Sequence, residues 1–173
     1  MGAPVAIPVT ALTPLILVSS EAPAADPTPA PVPPSDIVFA DLTDVAVKRE
    51  MSLRGPGIDV GDGVVFRNEI STADGARLVE LTGAVTIVHV RPSDQRIFGF
   101  YREFLRFADG TARTMGIVDI TATMAGREQV IPAYGISGRY RGMVGIRSYR
   151  NSSEKPETHH AEIVFRHPTS HRP

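Results

Sequence analysis

The spacing of its turn signals constrains this chain more than any other feature. "TADG" (72–75), "RPSD" (91–94), "FADG" (107–110), "MAGR" (124–127) and "GISG" (135–138) recur from Asp36 onward. They supply the Gly, Pro and Asp residues that tight turns need. The runs between them are rich in Val, Ile, Phe, Tyr and Thr. They predict strands at about 43–51, 60–71, 76–90, 95–108, 111–125, 128–135, 140–151 and 158–167. Strands at this spacing, without helical stretches, imply an antiparallel sandwich or barrel. Eight strands can close into a barrel just wide enough for one small ligand, and closure removes exposed edges. A chain of 173 residues is long enough for one such domain with a real core.

Residues 1–36 read differently. They hold nine of the fifteen prolines and no basic residue. "EAPAADPTPAPVPP" (21–34) predicts an extended, polyproline-like linker. Residues 4–18 are too apolar for a solvated tail, and a lid over an apolar pocket or a partner-binding segment would give them a surface. No Lys or Arg precedes the apolar run and Pro8 and Pro14 interrupt it, so it is not read as a signal peptide. The division is therefore an apolar, Pro-rich extension at 1–36 and a β-domain at 37–173, with a cytoplasmic location as the simplest reading. No apolar run has the length of a membrane span.

A net charge of −1 argues against a dedicated nucleic-acid binder. The absence of cysteine removes disulfides, thiolate metal sites and a cysteine nucleophile. "AYGISGRYRGMVGIRSYR" (133–150) lacks the Lys-Ser/Thr of a phosphate loop and has no helix after it. Its arginines 139, 141, 147 and 150 do not share a face. A hairpin with glycines allowing close strand approach fits better. His159 and His160, adjacent on a strand, point to opposite faces and chelate poorly. With His167 and His171 they read as solvated surface, and His89 as structural. No Gly-x-Ser-x-Gly or Ser/His/Asp arrangement is present.

Alternation divides 97–107 into Ile97, Gly99, Tyr101, Glu103, Leu105, Phe107 and Phe98, Phe100, Arg102, Phe104, Arg106. Both sets carry apolar residues, so one can line an interior while the other packs on a second subunit or the tail. Strand 143–151 divides likewise, with Met143, Gly145, Arg147, Tyr149 and Asn151 on one side. Periodicity alone does not choose the inward set. If Glu103 faces inward it needs a partner, and Arg147 is a candidate. That pair is either a structural bridge across the barrel or part of a site.

Three stretches carry a family resemblance: "GDGVVFRNEISTADGARLVELTGAVTIVHVRPSD", "GFYREFLRFADGTARTMGIVD" and "PAYGISGRYRGMVGIRSYR". Over about residues 60–151 the chain resembles allene oxide cyclase-like barrels. The second and third stretches are more specific, and they are similar to the small bacterial cyclases that build spirotetronate and spirotetramate polyketides. The resemblance implies an all-β fold, an eight-stranded antiparallel barrel, as a homodimer without a cofactor. It implies an intramolecular [4+2] cycloaddition of a linear polyketide. A conjugated diene would join the exocyclic methylene of a tetronate or tetramate ring, giving a spiro-linked cyclohexene. Tyr101 matches the family's pocket tyrosine, a candidate hydrogen-bond donor to the ring carbonyl, and Phe66 matches a pocket phenylalanine. Tyr149 stands where a relative carries tryptophan. Ile120, Ile131 and Asn151 match pocket positions but depart in residue type. The matches turn Tyr101 with Glu103, and Tyr149 with Arg147, inward. Some relatives cover the barrel mouth with an N-terminal lid, a role open to residues 4–18. The competing expectations are another cyclase of the same barrel class and a lipocalin-like carrier of a hydrophobic molecule.

Overall fold

A computed structural model describes residues 36–152 and 158–168. The apolar N-terminal run, the Pro-rich linker and His171 lie outside the described residues. Eight antiparallel strands close a barrel in sequence order, each paired with its neighbours in the chain and β8 with β1. They are β1 (Ile37–Ser52), β2 (Gly63–Ser71), β3 (Arg77–Val90), β4 (Ile97–Phe107), β5 (Gly110–Asp119), β6 (Gln129–Gly138), β7 (Val144–Asn151) and β8 (Thr158–Arg166). One short helix, α1 (Ile120–Met124), separates β5 from β6.

Three boundaries differ from the sequence expectation. β1 begins at Ile37 rather than 43, because the strand passes through an irregularity between Phe39 and Leu42. Asp41 takes a left-handed φ of 53° there and interrupts the alternation. The run 111–125 is not one strand. The Asp119 carboxylate accepts a hydrogen bond from the Ala122 N–H at 2.8 Å, caps α1 and ends β5. "GISG" is not a turn: β6 runs through it to Gly138, and the reversal falls at 139–143. Gly138 (φ 61°) and Gly142 (φ 77°) bracket that reversal in left-handed conformations that favour glycine.

Alternation sets the interior in layers. On β4, Glu103, Leu105 and Phe107 are buried while Arg102, Phe104 and Arg106 face out. On β3, Val79, Leu81, Val85 and Ile87 are buried. One half of the barrel is filled by a packed cluster. Tyr140 lies at its centre, with ring centroids 4.4 Å from Phe107 and 5.0 Å from Phe165. Phe39 stacks on Phe107 at 5.6 Å. The Tyr140 hydroxyl leaves this apolar layer by donating to Asp109 at 2.9 Å. Leu81, Leu105, Ala112, Ala133 and Ile163 close the layer. The other half is left open, and there the site lies.

Candidate functional site

The open half holds a cavity of about 370 Å³. Its walls come from β1–β4, β7, β8, α1 and the β1–β2 connection. Three local features build it. The first is a bulge in β1 between Ala46 and Lys48. It shifts the register so that Arg49 and Met51 stand opposite Phe66 and Val64, and all four line the cavity. The second is Asp62, buried at the end of the β1–β2 connection. Its two carboxylate oxygens accept the Arg54 and Asp59 N–H groups, each at 2.8 Å. That folds the connection so that Leu53 and Ile58 line the mouth. The third is α1, which places Ile120, Thr123 and Met124 on the same mouth. Arg96 pairs with the capping Asp119 and Thr121 accepts the Ile97 N–H at 3.0 Å, fixing α1 to β4.

Tyrosines form the middle of the cavity. The Tyr101 ring lies 6.2 Å from Phe66 and 6.4 Å from Tyr149. Gly83, on the strand between Phe66 and Tyr101, makes room for the phenyl ring. A Cβ there would meet the ring at 2.6 Å. Burial, then the nearby Glu103 charge, raises the Tyr101 hydroxyl pKa above the ordinary phenol value. Burial, then Tyr101, raises that of Tyr149 further. Both hydroxyls therefore keep their protons near neutral pH, and Tyr101 remains a hydrogen-bond donor.

Beneath the tyrosines, two residues away on each strand, lies a buried charged floor. Arg147 on β7 donates to both oxygens of Glu103 on β4 at 3.3 Å, and to Asp44 on β1. Thr114 also donates to Glu103, and the Asn68 amide donates to Asp44 at 2.7 Å. The Arg147 guanidinium lies 4.6 Å from the Tyr149 ring centroid, so it also supports the aromatic wall. Arg147 and both carboxylates are essentially inaccessible to solvent. Burial raises the Glu103 pKa, against the opposing pull of Arg147 and Thr114.

Tyr101, Phe66, Glu103, Ile120, Arg147, Tyr149 and Asn151 all line the cavity. Ile131 does not. It stands opposite Arg147 on β6 and is wholly buried in the core cluster, where its methyl packs toward Gly116. The sequence reading missed Asp44 and Asn68, whose strands carry a bulge and alternating polar residues that hide the inward set. It also misplaced His159, read as solvated surface. His159 is half-buried, lines the cavity and meets the Tyr149 ring edge-on at 5.6 Å. The cue was its place opposite Asp44 and Asn151, which only strand register reveals. His160 faces out, as alternation requires. Among the described residues no group of three or more His, Asp or Glu side chains is arranged to hold a metal ion. No helix among them is long and apolar enough to cross a membrane.

Chemically, the cavity can hold one elongated apolar molecule with a polar end. The mouth is aliphatic, the middle aromatic with hydroxyl donors, and the floor hydrogen-bonding. Residues 42–165 match the family model of the allene oxide cyclase barrel-like domain. The barrel is similar to the Diels-Alderase AbmU from Streptomyces koyangensis, with 32% identity and a TM-score of 0.71, over 77% of this chain and 64% of that one. It is similar to a nonspecific heme-binding cyclase that catalyses [4 + 2] cycloaddition during neoabyssomicin biosynthesis. The identity there is 31% and the TM-score 0.72, over 78% of this chain and 65% of that one. AbnU, an exo-specific intermolecular Diels-Alderase, shares the fold at 22% identity and a TM-score of 0.68, over 76% of this chain and 96% of that one. The chain thus spans slightly under two thirds of the length of the first two.

Proposed function

The chain belongs to the allene oxide cyclase barrel-like family, and on that basis we propose that it is a [4+2] cyclase of polyketide biosynthesis. Its substrate is a linear polyketide with a conjugated diene at one end and an exocyclic methylene on a tetronate or tetramate ring at the other. Its product is the spiro-fused cyclohexene. The observation that carries this reading is the cavity. It offers about 370 Å³ with an aliphatic mouth, paired tyrosines and a fixed polar floor, a size within the usual range of small-molecule sites.

The reaction needs a flexible chain held with its two ends in contact. Orientation of free reactants is worth up to roughly 7–11 kcal/mol, and tethered ends recover part of that. The aromatic wall of Phe66, Tyr101 and Tyr149 supplies a surface against which a planar diene and ring can lie. Tyr101 donates a hydrogen bond to the ring carbonyl and makes the methylene a better electron acceptor. That bond accelerates the step only to the extent that it strengthens in the transition state. The floor holds the tyrosine wall in place through Arg147, whose two carboxylate partners fix the guanidinium under Tyr149. No added cofactor enters the proposed step, and the acting form in the proposal is a homodimer. Outward Ile117, Val130 and Ile146 are exposed and give a second copy an apolar surface to cover.

The test is incubation of purified protein, without added cofactor, with a linear substrate bearing the diene and the methylene ring. The reading requires an isomer of unchanged mass, formed faster than in the protein-free control. Binding without acceleration would replace it with the carrier.

A further inference from the structure

Five enclosed polar atoms on cavity-lining side chains find no hydrogen-bond partner among the described residues: Asn68 Oδ1 and Arg147 Nε belong to the floor, the Tyr149 hydroxyl to the aromatic wall, and the other two have no role in the proposed step. The side-chain oxygen of Asn151 and Nδ1 of His159 are enclosed, and neither finds a hydrogen-bond partner among the described residues. Folded proteins pair nearly all such atoms, so an unpaired couple on a cavity wall points to a ligand group. The two residues are neighbours. Asn151 on β7 stands directly opposite His159 on β8, and His159 stands opposite Asp44 on β1. Cross-strand partners share a face with Cβ atoms about 5 Å apart.

Both atoms can accept a hydrogen bond. The Asn151 amide oxygen only accepts. Burial lowers the His159 pKa, so the ring is neutral near pH 7. A neutral imidazole has one lone-pair nitrogen, and a ligand N–H or O–H brought to the unpartnered Nδ1 selects the tautomer that presents the lone pair there.

We infer that Asn151 and His159 form a donor-selecting subsite, which accepts an N–H or O–H carried at the ring end of the substrate. On the cyclase reading, which supplies the ring class, this makes the pair the specificity element that separates a lactam ring from a lactone ring. A site with two enclosed acceptors penalises a ligand that brings no donor, because both acceptors stay unpaired.

The test uses the full chain and three unreactive ligands with the methylene saturated and identical alkyl chains. They are a five-membered lactam with N–H, the isosteric lactone, and the lactone with a hydroxyl on the first chain carbon. Dissociation constants come from calorimetry. The inference expects the wild type to bind a donor-bearing ligand about tenfold more tightly than the plain lactone, the size of one enclosed hydrogen bond. Preference for the lactam identifies ring N–H as the donor, and preference for the hydroxylated lactone identifies O–H. His159→Phe and Asn151→Leu should each shrink the preference to within about twofold. Should one variant fail to fold, the other carries the test. Equal affinity for all three ligands, binding of none, or a preference that survives both substitutions overturns the inference. None of the ligands can react, so this result is independent of turnover. A protein that cyclises both ring types alike keeps the proposed function and loses the subsite. One that prefers the donor but never cyclises does the reverse.

Discussion

Arg147→Met isolates the charged floor. Arg147 is 2% exposed in its side chain and is shared by two carboxylates as inaccessible as itself. Methionine fills much of the same volume but leaves Asp44 and Glu103 facing each other without a cation. Removing one partner of a buried ion pair costs about 3–5 kcal/mol. In a domain of this size that loss lowers Tm by roughly 10–20 °C. The chain has no tryptophan, so far-ultraviolet circular dichroism with heat and urea is the suitable readout. The deficit should also depend on pH. Burial already raises the Glu103 pKa, and loss of Arg147 removes the main opposing pull. The folded variant then holds protons that the unfolded chain releases above its ordinary carboxylate pKa. Stability is therefore greatest at low pH and falls as pH rises through the folded pKa. The triple variant Asp44→Asn, Glu103→Gln, Arg147→Met removes the stranded charges and should recover most of the loss. A single variant within about 1 kcal/mol of wild type, or a deficit equal at pH 5 and pH 8, would refute this account of the floor.

Three further outcomes are expected. Tyr101→Phe keeps the ring and loses the donor, so kcat should fall about fivefold with KM little changed, the worth of roughly 1 kcal/mol; steady-state kinetics on the linear substrate checks this. Gly83→Ala places a methyl against Phe66 and should cost about 1–3 kcal/mol in urea denaturation while narrowing the cavity, with Gly83→Ala/Phe66→Leu recovering stability. The lowered His159 pKa means that the unfolded chain binds a proton near pH 6.5 that the folded protein refuses. Tm should therefore fall as pH drops below that value, and His159→Phe should flatten the decline.

The eight strands were legible because β-rich runs alternate with turn residues, and burial on one face of each run fixes the alternation. Tyr101 with Glu103, and Arg147 with Tyr149, followed from two-residue spacing once one face was known to be inward. What the sequence hid was non-local or conformational. Asp44 and Arg49 lie on the same inward wall only because a bulge separates them, and a bulge leaves no mark on composition. His159 sits in a pair of adjacent histidines whose roles differ solely by which faces in. The helix at Ile120–Met124 is a single turn made by one capping aspartate within a β-like run. Ile131 shares its face with Arg147, yet lies in the packed layer rather than on the cavity wall.

The central claim is that the cavity itself performs the cycloaddition. The most direct measurement compares wild type with Val64→Trp, which fills the space from β2, using the linear diene and methylene-ring substrate and chiral chromatography of the product. Val64 lines the cavity beside Phe66 and lies outside the charged floor. The account predicts one stereoisomer formed at an accelerated rate by wild type, and the slower product mixture of the protein-free control from a variant of unchanged Tm. A filled cavity that still yields the single stereoisomer at the wild-type rate would contradict it.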